Sequence, residues 1–109
     1  MRTLKFIVED QILSKDPKCD FSNLVPGSSG NIIAEFSFSK EWDSFTKVVA
    51  LYSPLGREYP PQVLSLDNKC AIPSEVLDKR MFKIQLIGKL GPYRLKTNRL
   101  EVLQDGGMP

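Results

Sequence analysis

The sequence predicts an all-β fold, an antiparallel β-sandwich of about seven strands with one short helical turn. Three observations carry this expectation. Short runs alternate apolar and polar residues with period 2, the mark of strands that bury one face. The runs recur at intervals of about ten residues with Gly, Pro, Asn and Ser clusters between them. Only one short stretch, near Ser74, looks like a helix start.

In chain order, Leu4, Phe6 and Val8 form the apolar face of a first strand, against Lys5 and Ile7. "EDQILSKDPK" is a short apolar pair in a polar setting, and "NLVPGSSGN" is a loop by composition. In "NIIAEFSFS" the residues Ile32, Ala34, Phe36 and Phe38 share the face expected to enter the core. "SKEWD", 39–43, interrupts the alternation, and Ser39 suits the cap of a single helical turn or tight bend.

"TKVVALYS" lacks clean alternation, as expected of a central strand covered on both sides for part of its length. "SPLG" is a turn. Pro60 and Pro61 cannot both donate to a central ladder, so the "YPPQ" segment belongs at a sheet edge or bulge. "DNK" is a tight turn. "IPSEVLD" is the helix start, with Ser74 as N-cap, Glu75 in the first turn, and Val76 and Leu77 dipping into the core.

"MFKIQLIGKLGPYRLKTNRLEVL" reads as two strands joined at Gly88–Gly91. Phe82, Ile84, Leu86, Tyr93 and Leu95 are expected inside. The ensemble suggests an immunoglobulin-like sandwich, with a small barrel as the nearest rival. One domain is expected over 1–104, and 105–109, "DGGMP", reads as a flexible tail or the start of a linker.

Composition narrows the function. Of the 109 residues, 41% are apolar and 26% charged, which is the balance of a globular chain. No apolar run approaches the roughly 20 residues needed to span a bilayer, so membrane insertion is not expected. The N-terminus has charges within its apolar run and no small-residue cleavage site, so no signal peptide is expected.

Histidine is absent, which removes the commonest general base and zinc ligand. "GSSG" lacks the spacing of a phosphate-binding loop, and Ser28 and Ser29 have no base to activate them. No catalytic residue, metal or cofactor is expected. Cys19 and Cys70 lack metal-type spacing, and a bridge between them stays open.

Two features remain as candidate sites. Trp42, between Glu41 and Asp43, could be a binding aromatic. The structural alternative is a buried strand-to-strand corner whose indole N–H finds a backbone carbonyl. The second feature is a run of seven cations from Lys79 to Arg99 without an acid. Strand parity puts Lys83, Arg94 and Lys96 on the face opposite the core, together with Met81 and Ile87, where they are candidate partner contacts. Nucleic acid is not the expected partner, because Phe82 and Tyr93 fall on the other parity from the cations.

Three stretches, "FSFSKEWDSFTKVVALY", "NKCAIPSEVLDKRMFKIQLIG" and "LKTNRLEVLQDGG", together resemble the immunoglobulin-like N-terminal domain of phage baseplate upper proteins and related tail proteins of phages infecting Gram-positive bacteria. The resemblance spans about Leu4 to Gly107. It implies a virion structural module of the tail or baseplate, made in the host cytoplasm, non-enzymatic, docking on other tail proteins, with homo-oligomerisation open. The chain departs from the family pattern at "YPPQ" and in stopping at Pro109, as a free-standing paralogue or excised module would. Alternatives from other classes are a small soluble phage protein that inhibits a host protein or binds a ligand, and a carbohydrate-binding module using Trp42 and nearby tyrosines.

Overall fold

The computed structural model describes residues 2–27 and 32–104. Ser28, Ser29 and Gly30 of the "GSSG" loop, and the expected tail 105–109, lie outside the described residues. The chain is an all-β sandwich of two sheets. Its described strands are β1 (Arg2–Glu9), β2 (Ile12–Lys15), β3 (Ile32–Phe38), β4 (Thr46–Tyr52), β5 (Gln62–Val63), β6 (Lys69–Ala71), β7 (Met81–Leu90), β8 (Tyr93–Lys96) and β9 (Leu100–Leu103). The first sheet runs β2-β1-β3-β6. The second runs β5-β4-β7, and the far edge of β7 is shared by β8 and β9.

The alternating runs behave as their period demands. Leu4, Phe6 and Val8 of β1, Ile32, Ala34 and Phe36 of β3, and Phe82, Ile84 and Leu86 of β7 are all buried in one core, with Phe38 packed against it. Burying each of these side chains except Ala34 contributes roughly 1.5–3 kcal/mol. β4 is central, and Val49, Ala50, Leu51 and Tyr52 are buried in succession, so this strand is covered on both faces at that end. The Pro60–Pro61 segment leads into β5, an edge strand, as the missing donors require.

Several features depart from the sequence expectation. The first sheet is mixed, because β1 pairs parallel with β3 and sets Phe6 beside Phe36. β2 was not anticipated. It pairs with β1 across a two-residue loop, Asp10–Gln11. Asp10 adopts φ 55° there, in a region that Asp tolerates better than most residues.

The helical segments are two 3₁₀ turns, Lys40–Trp42 and Val76–Asp78, where one was expected. In the second, Val76 and Leu77 are buried as predicted, but Glu75 rather than Ser74 occupies the cap position. The last strand pair also differs: Gly88, Lys89 and Leu90 continue β7, and the turn is confined to Gly91–Pro92. Tyr93 is not a core residue. It shares the parity of Leu95 but pairs with Leu90 at the hairpin tip, beyond the end of the core, and is 67% exposed.

The largest departure is a β-bulge. Met81 to Ile84 of β7 pair with β9, and Ile87 to Leu90 pair with β8, with one extra residue on the β8–β9 side between the two registers. Thr97 manages the interruption. Its N–H donates to Leu86 O (3.1 Å), while its hydroxyl accepts the Leu86 N–H (3.0 Å) that a regular ladder would give to a carbonyl. Asn98 turns toward the other sheet, accepting from Leu13 N (2.7 Å) and donating to Leu13 O (3.1 Å). Its amide thus stands in for a strand along the edge of β2.

Candidate functional site

Trp42 lies at the first 3₁₀ turn and is completely buried. Its Nε1–H donates to Asp10 O at 2.6 Å, and Ser39 Oγ accepts from Asp10 N at 2.8 Å, so the residue before the turn and the residue ending it hold the β1–β2 loop. Phe38 and Phe45 flank the indole at 5.4 and 6.5 Å between ring centres. The candidate binding aromatic therefore has no open face to lay against a sugar, while Glu41 and Asp43 are exposed. The indole packs directly on the backbone of Gly88: a Cβ there would lie 2.9 Å from Trp42 Cζ3.

The outer face of the second sheet is different in character. Cross-strand register places Thr46, Val48, Ala50 and Tyr52 of β4 beside Lys89, Ile87, Gln85 and Lys83 of β7. On the other side of β7, Arg94 lies opposite Lys89 and Lys96 opposite Ile87. The bulge then shifts the parity by one residue. Without it, Asn98 would follow Arg94 and Lys96 on this face; with it, Arg99 and Glu101 do, and Leu100 and Val102 enter the core.

The result is a concavity of about 400 Å³. Val48, Ala50 and Ile87 form an apolar floor. Pro61 and Glu58 stand on one side, and Lys89, Arg94, Lys96 and Arg99 on the other. A polar network fixes its inner end: the Tyr52 hydroxyl donates to Gln85 Oε1 (2.9 Å), and Gln85 Nε2 donates to Thr97 O (2.6 Å). The Arg99 guanidinium lies 3.8 Å from the centre of the Tyr52 ring. This is a cation–π contact.

Of the three predicted contact residues, Arg94 and Lys96 line this concavity, and Lys83 lies on the same face farther along β7, opposite Glu101. Sequence reasoning missed Lys89, because Gly88–Gly91 looks like a turn, and Arg99, because nothing in "KTNRL" marks a bulge. Tyr52 was also missed. The ion pairs among the described residues are those of Lys69 with Glu35 and Asp67, on the other sheet. No described carboxylate reaches ion-pairing distance of the cations around the concavity.

Both cysteines are free. Burial pushes the Cys70 thiol up to about 11. The Asp20 carboxyl is held below its usual range by hydrogen bonds from Ser22, and Asp67 by the Ser65 hydroxyl. Among the described residues no three His, Cys, Asp or Glu side chains converge as a metal site would require, and no helix is long and apolar enough to cross a membrane. No protein-family model, curated protein or solved structure matches the chain.

Proposed function

We propose that the chain is a non-enzymatic docking module of a phage tail or baseplate, which meets a neighbouring protein of the assembly through the outer face of its second sheet. The observation that carries the docking role is the concavity itself. An apolar floor is rimmed by four cations with no described carboxylate in ion-pairing reach. That is the make-up of a contact face rather than of a plain solvated surface. The phage setting comes from the resemblance of the three quoted stretches. Their residues serve the fold: Trp42 closes a corner, Ile72, Val76 and Leu77 fill the core, and Thr97 with Asn98 makes the bulge and its inter-sheet clamp.

The test uses phage particles induced from the strain that encodes the chain. Peptides of the chain should be found in purified particles, and gold-labelled antibody should decorate the tail. The triple reversal Lys89→Glu, Arg94→Glu, Lys96→Glu should fold but fail to enter particles. A chain found only in the soluble fraction, or a reversal variant incorporated normally, refutes the reading.

A further inference from the structure

We infer that the partner presented to this concavity is an extended acidic polypeptide segment, and that Arg99 is the residue that reads one of its carboxylates. The inference rests on the docking reading above and adds the partner's chemistry to it.

Charge placement is the first argument. Lys89 and Arg94 are directly opposite on β7 and β8, a like-charge cross-strand pair that costs stability when left uncompensated. Lys96 follows on the same face, and the bulge adds Arg99. Such a concentration of like charge calls for a counter-charge, and the described residues supply none within ion-pairing distance. Arg94 and Lys96 are two residues apart along β8, about 7 Å in an extended strand. Carboxylates at alternate positions of an extended peptide have the same spacing.

Arg99 is prepared for recognition. Its guanidinium carbon lies 3.8 Å from the centre of the Tyr52 ring, and that ring is held through Gln85 to Thr97 O. A guanidinium that lies over a ring can keep its edge, with its fork of N–H donors, for a carboxylate to meet bidentately. A lysine at this position would keep the charge and lose the fork.

The lining favours a polypeptide over a nucleic acid. The floor is aliphatic, and Arg99 already covers the one aromatic ring of the lining, so no stacking platform is offered to bases.

The test is fluorescence anisotropy of the intact chain with three labelled probes: a decapeptide of alternating Glu and Thr, its Lys–Thr counterpart, and the oligonucleotide dT10. The Glu–Thr peptide should bind, with affinity falling as salt rises, and the Lys–Thr peptide should not. Arg99→Lys and Arg99→Ala should each weaken binding at least tenfold, whereas Lys18→Glu, in an exposed loop, should leave it within twofold. Lys96→Glu gives an independent variant should Arg99→Ala unfold.

No binding of the Glu–Thr peptide at low salt overturns the inference, as does tighter binding of dT10 or an unaltered affinity in Arg99→Lys. If the peptide fails to bind while the triple reversal is still excluded from particles, the acidic-segment inference falls and the docking reading stands. If the peptide binds but the reversal variant enters particles normally, the docking reading falls instead.

Discussion

Replacing Gly88 by alanine tests whether the Trp42 corner is as tightly built as its geometry indicates. In a strand, Gly→Ala ordinarily stabilises by about 0.5–1 kcal/mol, because the unfolded chain loses freedom. Here the added Cβ would lie 2.9 Å from Trp42 Cζ3 and 3.1 Å from both Trp42 Cε3 and Phe45 Cδ2. Carbon atoms rest at roughly 3.5–4 Å. Something must retreat by more than half an ångström. The indole cannot do so freely, since it is fully buried, flanked by Phe38 and Phe45, and tethered to Asp10 O.

Overpacking of this kind costs roughly 1–3 kcal/mol, which less the backbone gain leaves a net loss centred on about 1 kcal/mol and at most about 2.5 kcal/mol. For a domain of this length each kcal/mol lowers Tm by about 4 °C. Urea and thermal unfolding followed by Trp42 fluorescence and circular dichroism would measure the loss. A Gly88→Ala protein as stable as the parent would refute the reasoning. A second arm isolates the contact: in a Trp42→Phe background the smaller ring gives way, and Gly88→Ala should cost about 1 kcal/mol less. Additive effects would mean that the clash is not with the indole.

Three further outcomes are expected. Lys83→Glu combined with Lys96→Glu should change stability by no more than about 0.5 kcal/mol in denaturant titration, as surface changes usually do. Both side chains leave the outer face, and a much larger loss would mean that the strand faces are misassigned. Asn98→Ala removes both hydrogen bonds to the Leu13 backbone. That loss should cost about 1–2 kcal/mol, with an unchanged urea midpoint as the contrary result. In a Cys19→Ser background, Cys70 should react only slowly with a disulfide reagent at neutral pH. Its pKa is raised to about 11, so the reactive thiolate is scarce below that pH, and the rate should climb as pH rises toward the pKa. A fast, pH-independent reaction would contradict this.

Much of the sandwich is legible in the linear pattern because burial with period 2 is a local property. Leu4, Phe6 and Val8, the Ile32–Phe36 face and the Phe82–Leu86 face declare themselves, and so do the edge at Pro60–Pro61 and the turn at Asn68. The indole of Trp42 bonded to a backbone carbonyl was also foreseeable, since a buried Trp N–H needs an acceptor. β2 was not, because Ile12 and Leu13 are too short a run, and Asp10–Gln11 is not the Asn-Gly or Asp-Gly signature of a two-residue loop.

The candidate site divides along the same line. Arg94 and Lys96 emerge outward by parity alone. Lys89 is lost to the eye because Gly88 looks like a turn, although its missing side chain serves the close approach of Trp42 from another part of the chain. Arg99 is assigned to the wrong face by any count that continues the alternation from β8 to β9. Strand alternation is written residue by residue into the chain. The parallel pairing of β1 with β3, the extra residue at Thr97–Arg99 and the stacking of Arg99 on Tyr52 depend on partners distant in sequence, and only packing the two sheets together selects them.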